Sequence, residues 1–181
     1  MNTSEYANAK PSKLNKNAIA ALAEQVAVQA KYASGDELEP VVSHMGGEIQ
    51  YMDLYGVTLS GNSDAGSIQI DGFRNFKITL AHHTGVLRDR FTVAHELGHY
   101  VLHYLYPTQV LKTSLNKVIA QRYGSGLEET EANLFAACFL MPENEYREQH
   151  AKLSGSHTEL SAKFGVSTRA SRLRASNLNL R

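Results

Sequence analysis

A single cysteine, Cys138, serves all 181 residues. That excludes an internal disulfide framework and fits a reducing compartment. Net charge is missing as well: 18 Lys+Arg balance 18 Asp+Glu, and the sequence pI is near 7.1. Such a balance carries no dominant nucleic-acid or membrane footprint. No apolar run is long enough to span a bilayer. The opening MNTSEYANAKPSKLNKN is polar with scattered lysines and lacks the apolar core of a signal peptide. A soluble, cytoplasmic protein is therefore expected, with no membrane partner. The chain does have 43% hydrophobic residues, enough for a core, and its length suits one domain with at most a small appendage.

Residues 1–16 read as a flexible tail. From Asn17 onward Ile19, Leu22, Ala23, Val26, Ala30 and Ala33 recur at helical spacing, after an asparagine cap and before Ser34-Gly35. A short second helix is expected over Asp36–Met45, with Asp36 and Glu39 at capping-box spacing and Pro40 near its first turn. The period then shortens. EIQYMDL, GVTLSG, GSIQIDG and FKITLAH predict a small antiparallel sheet across residues 48–81. Further helices are predicted over Thr92–Tyr106, closed by Pro107; between Leu111 and Tyr123; through EETEANLFAACFLMP to Pro142; and over 158–164 and 168–177. Helices, then sheet, then helices point to an α+β fold. The expected division is a main domain over 17–150 and a C-terminal helical segment over 151–181, packed on it or appended to it.

VAHELGHYVLH, Val93 to His103, carries three of the eight histidines. Positions four apart on a helix share a face, with Cβ atoms roughly 5–6 Å apart, so His95 and His99 can reach one ion. Zinc accepts imidazole nitrogen, and a catalytic zinc takes three protein ligands and leaves one position open. Glu96 follows the first histidine and can act as general base toward a water that the ion acidifies. HExxH alone is a weak signal; its context strengthens it. Thr92 offers an N-cap, and Val93, Leu97, Val101 and Leu105 form an apolar stripe away from Glu96. Gly98 costs the helix about 1 kcal/mol relative to alanine, a cost that makes sense where another backbone must pass close by.

The third ligand must come from elsewhere. LEETEANLFAACFLMP offers Glu128, Glu129 and Glu131 at the start of an apolar helix, where carboxylates are also favoured simply by the helix dipole. Glu129 shares a face with Asn133, which could hold the outer nitrogen of a ligand histidine. Glu131 points about 160° away from Asn133 and shares its face with Leu134, Phe135 and Cys138. Face geometry favours Glu129 and keeps Glu131 as the alternative.

These residues resemble the ImmA/IrrE family of HExxH zinc metallopeptidases. The resemblance rests on RFTVAHELGHYVLH (Arg90–His103) and EETEANLFAACFLMP (Glu128–Pro142), with support from GGEIQ and from LSAKFGVSTRASRLRASNLNL (Leu160–Leu180). It covers most of residues 17–180. It implies a gluzincin-like core, in which the HExxH helix packs beside the ligand helix next to a small sheet. It places the ligand glutamate four residues before the asparagine, which is again Glu129. It implies Zn2+ as the ion, with Mn2+ as the alternative. It also implies a cytoplasmic endopeptidase that cleaves a helix-turn-helix transcriptional repressor. The chain departs from the family pattern at Ala175 and Asn179, where leucine and glycine are usual.

Other residues weigh less. His103 lies one turn beyond His99 and is a candidate for contact with a ligand histidine or with substrate; a polar residue near the cleft is the simpler reading. His82-His83 read as loop residues, because adjacent strand positions face opposite ways. Tyr100, Tyr104 and Tyr123 are equal candidates for an oxyanion donor. Cys138 reads as a buried, inert thiol. FKITLAH is expected to align an extended peptide by β-addition. The rival function sits at the C-terminus. Lys163, Arg169, Arg172, Arg174 and Arg181 accompany FGVS, with Ser167 as a cap, in a segment resembling a helix-turn-helix. A regulator that binds a repressor or DNA without cutting is the alternative, although Leu160, Phe164, Val166, Leu173 and Leu178 could instead dock the segment on the core.

Overall fold

The computed structural model describes residues 6–52, 66–81, 85–115, 117–121 and 126–180. Helix α1 (Lys16–Gln29) starts at Asn15, whose side chain accepts from the Ala18 amide at 2.9 Å. It buries Ile19, Ala23 and Ala27, one per turn, and two of these are small enough to let it lie close on α4 (Leu127–Leu140). Helix α2 (Glu39–His44) is shorter than expected. Asp36 does not cap it; the Asp36 carboxylate accepts the Ala33 amide at 3.2 Å and closes the turn after α1.

The sheet has five strands among the described residues: β1 (Ala7–Asn8), β2 (Gly47–Tyr51), β3 (Ser67–Gly72), β4 (Asn75–Leu80) and β5 (Val118–Gln121), in the order β1-β5-β3-β4-β2. It is mixed, not antiparallel as expected. β3 runs antiparallel to β4 and β5, whereas β2 is parallel to β4 and β1 is parallel to β5. Both parallel pairs join segments far apart in the chain, as parallel pairing requires. Ile68, Ile70, Phe76, Ile78 and Leu80 alternate inward, where β3 and β4 meet helix α3 (Val86–Tyr100). β4 lies between β3 and β2, so its backbone is taken on both sides and FKITLAH offers no edge to a peptide. The expected strand GVTLSG falls outside the described residues.

Three further expectations are corrected. Residues 6–15 do not trail loosely: β1 pairs with β5, and Leu14 packs against the core. The span expected as a helix between Leu111 and Tyr123 contains β5, whose Val118 and Ala120 are buried in the alternation of a strand. Pro107 does not close the helix after Tyr100. A π-helical segment, Val101–Val110, continues α3 and carries Pro107 within it. Its wider winding is seen in the Leu111 amide bonding the Tyr106 carbonyl, five residues back, at 3.2 Å.

Helix α5 (Glu143–Lys152) runs through the expected boundary at 150. Helices α6 (His157–Phe164) and α7 (Thr168–Asn177) are capped by Ser156 and Ser167 and joined through Gly165 at φ 60°. They pack on the core: Leu160, Phe164, Val166 and Leu178 are buried, while Leu173 is 61% exposed. Tyr146 donates to the Ser171 carbonyl at 2.7 Å, and Arg174 Nε donates to the Met141 carbonyl at 2.9 Å. Arg90 Nε, on α3, donates to the Gly165 carbonyl at 3.0 Å. Ala175 is buried, and Asn179 takes φ 55°, a left-handed conformation that asparagine tolerates better than most residues.

Candidate metal centre

Helix α3 begins at Val86 behind Gly85, six residues earlier than expected, and Thr92 is an interior, buried position of it rather than its cap. VLRDRF supplies the missing turn: Val86 and Leu87 are exposed there, so the apolar stripe begins only at Val93. From Thr92 to Tyr104 the chain is buried on every side. Helix α4 crosses α3 at Gly98, where an added Cβ would stand 3.1 Å from both Ala132 Cα and the Ala132 carbonyl oxygen. α4 is thus the backbone that passes close by, and this contact sets Glu129 opposite the histidines.

His95 Nε2 and His99 Nε2 are 3.1 Å apart. The Glu129 carboxylate straddles them, with Oε2 3.2 Å from His95 Nε2 and Oε1 3.1 Å from His99 Nε2. Two ligand atoms about 2.0–2.1 Å from one zinc at a tetrahedral angle are themselves about 3.3 Å apart. The three side chains fit a divalent ion on that ground. The two histidines and Glu129 are all buried, Glu129 at 8% exposure the least so. Burial pushes the Glu129 carboxyl up, but the two imidazoles beside it outweigh that and hold the group down at about 2. His95, His99 and Glu129 could therefore bind a metal with the carboxylate ionised.

The outer nitrogens are also engaged. His95 Nδ1 lies 3.0 Å from Asn133 Oδ1; the amide oxygen can only accept, so Nδ1 carries the proton and Nε2 is left bare. His99 Nδ1 lies 2.9 Å from His103 Nδ1, and His103 Nε2 lies 3.0 Å from Glu131 Oε2. Glu131 also accepts the Ser12 amide at 2.7 Å and the Lys13 amide at 2.8 Å. The carboxylate kept as the alternative ligand therefore stands apart from the triad, behind His103. Burial, and His99 beside it, lower His103 to about 4, so it is neutral near pH 7. Burial raises the Glu131 carboxyl, but His103 and the Ser12 amide pull it below its usual value.

Glu96 is buried next to His95. Gly66, at the foot of β3, was missed by sequence reasoning, where it served only as punctuation. A methyl group there would stand 2.3 Å from Thr92 Cγ2 and 3.4 Å from Glu96 Oε1. Only a bare Cα lets β3 run so close to the Glu96 turn of α3. Among the tyrosines, the Tyr100 hydroxyl accepts the Arg74 amide at 2.9 Å at the β3–β4 turn, and its ring stacks between Phe76 and Tyr104. Tyr123 and His82-His83 lie outside the described residues.

The family model of the M78 peptidases, described as the IrrE N-terminal-like domain, matches residues 51–176. No curated protein matches the chain. Among solved structures, a Mycobacterium tuberculosis transcriptional regulator is similar at a TM-score of 0.61 and 17% identity, over 88% of this chain and 46% of that one. The chain thus spans about half the length of that regulator, and the likeness is one of fold.

Proposed function

The chain belongs to the IrrE N-terminal-like family of M78 peptidases, and from that premise we propose that it is a zinc-dependent endopeptidase acting on a regulatory protein in the cytoplasm. The observation that carries this reading is the convergence of His95, His99 and Glu129, with both outer imidazole nitrogens occupied so that both Nε2 atoms face one point. A divalent ion held there, Zn2+ or Mn2+, supplies a Lewis acid that polarises the scissile carbonyl and makes a water easier to deprotonate. Glu96 takes the proton of the attacking water and returns it to the leaving amine. The low dielectric around its buried carboxylate strengthens both transfers. Asn133 keeps His95 in the tautomer that an ion needs.

The substrate class is a helix-turn-helix repressor, by family resemblance. The rival, a regulator that binds DNA through α6 and α7, is weakened by one observation. Arg174 is buried and spends its guanidinium on Met141 and Cys138, leaving Lys163, Arg169 and Arg172 as the exposed cations of the described segment. No helix among the described residues is long and apolar enough to cross a membrane.

The test pairs metal content with cleavage. Glu96→Gln should retain one equivalent of zinc and abolish cleavage of a co-expressed repressor encoded beside this gene; His95→Ala should lose both. Undiminished cleavage by Glu96→Gln, or a wild-type protein that takes up no zinc, overturns the proposal.

A further inference from the structure

Beneath the triad lies a chain of buried hydrogen bonds that neither the ion nor Glu96 requires directly. It runs from His99 Nδ1 to His103 Nδ1 (2.9 Å), from His103 Nε2 to Glu131 Oε2 (3.0 Å), and from Glu131 to the amides of Ser12 (2.7 Å) and Lys13 (2.8 Å). His103 and Glu131 are 2% and 3% exposed. A buried carboxylate is costly unless its lone pairs are met by donors, and Glu131 is met by three.

The protons along this chain can be counted. Both amides are fixed donors, so Glu131 can only accept from them. His103 Nε2 faces a carboxylate and must carry a proton. An ion on His99 Nε2 leaves the His99 proton on Nδ1, and His103 Nδ1, 2.9 Å away, must then accept it. The proton in the short Nδ1–Nδ1 contact must therefore belong to His99. With its proton on Nδ1, His99 presents a bare Nε2 toward His95 and Glu129.

We propose that His103 and Glu131 are positioning residues of the metal centre: anchored by the Ser12 and Lys13 amides, they lock His99 in the tautomer and orientation that leave Nε2 open to an ion. The segment before α1 is then part of the metal site, although it touches no ligand. This inference rests on the triad being a metal site. It adds that the ion's hold depends on residues 118–119 positions apart in the chain.

The measurement is zinc affinity in the full chain, by competition with a chromophoric chelator. Removing a group that orients a ligand histidine typically weakens metal binding about 10–100-fold. His103→Phe, which keeps the ring shape and loses both nitrogens, should show a loss of that size. His103→Gln should restore most of the affinity, because its amide can accept from His99 and donate to Glu131. Ser12→Pro deletes one anchoring donor and should weaken zinc, whereas Ser12→Ala keeps the amide and should weaken it less. The double variant His103→Phe/Glu131→Gln should bind no more weakly than His103→Phe, since the chain is already cut at its first link. Nitrogen NMR of the zinc-loaded wild type should show His99 protonated at Nδ1. Finding the proton on Nε2 overturns the proposal without any variant, as does wild-type zinc affinity in His103→Phe. If the wild type itself takes up no zinc, the metal reading fails first, and this outcome is distinct from variants that bind as tightly as a zinc-binding wild type.

Discussion

Gly98→Ala sets two effects of opposite sign against each other. Alanine is favoured over glycine inside a helix by about 1 kcal/mol, so on propensity alone the variant gains stability. The added Cβ, however, would stand 3.1 Å from Ala132 Cα, 3.1 Å from the Ala132 carbonyl oxygen and 3.2 Å from Phe135 Cβ. Carbon contacts are comfortable at about 3.5–4.0 Å. Two of the three obstacles are backbone atoms, which no rotamer change can remove, so α4 must retreat by a few tenths of an ångström. Overpacking of this kind costs about 1–3 kcal/mol. The expected balance is a net loss of about 1 kcal/mol, the overpacking term reduced by the propensity term. The retreat has a second effect. Glu129 lies on α4 less than one turn before Ala132, so its carboxylate withdraws from His95 and His99, which it meets at 3.2 and 3.1 Å. Urea unfolding of the metal-free protein reads the first effect, and chelator competition for zinc reads the second. A variant that gains the full propensity term and binds zinc as the wild type does would refute the argument that this crossing is closed to a methyl group.

Two other outcomes follow from residues outside the triad. Arg90 donates to the Gly165 carbonyl, the Asp36 carbonyl and the Tyr32 hydroxyl at 3.0, 2.7 and 3.2 Å; Arg90→Lys can reach only one of these and should lose about 2 kcal/mol in a urea melt, with an unchanged midpoint as the contrary result. DNA affinity through α6 and α7 should fall with salt no more steeply than a log–log slope of about −3, because each neutralised phosphate contributes about −0.9 and these two helices expose three cations among the described residues; a steeper slope in a filter-binding titration would revive the DNA-binding reading.

Some of this was legible from spacing. Histidines four apart must share a helical face, and face geometry separated Glu129 from Glu131: the first stands between the two imidazoles, and the second faces away beside His103. The cap at Ser167 and the buried positions Leu160, Phe164, Val166 and Leu178 were legible for the same local reason, whereas Leu173, expected to dock with them, is exposed. The misses are tertiary. VLRDRF carries no apolar periodicity because its turn is exposed, so α3 seemed to begin at Thr92. VIAQ is too short to announce a strand, and β5 exists because β3 and β1 flank it. Residues 6–15 show no pattern of their own, being held by backbone bonds to β5 and to Glu131. The role of His103 depends on which nitrogen meets which neighbour, and spacing cannot express that.

The contact between Ser12 and Glu131 also bears on how the protein is made. The two residues are 119 positions apart, and closing so long a loop costs more entropy than any local turn. A ribosome releases the Ser12 segment long before the helix that receives it. Until α4 has emerged, His95 and His99 have no third ligand, and Ser12 and Lys13 have no carboxylate to hold. Contacts of this sequence separation slow folding. The metal centre therefore has to wait for α4, and a chain terminated before Glu129 lacks its third ligand altogether.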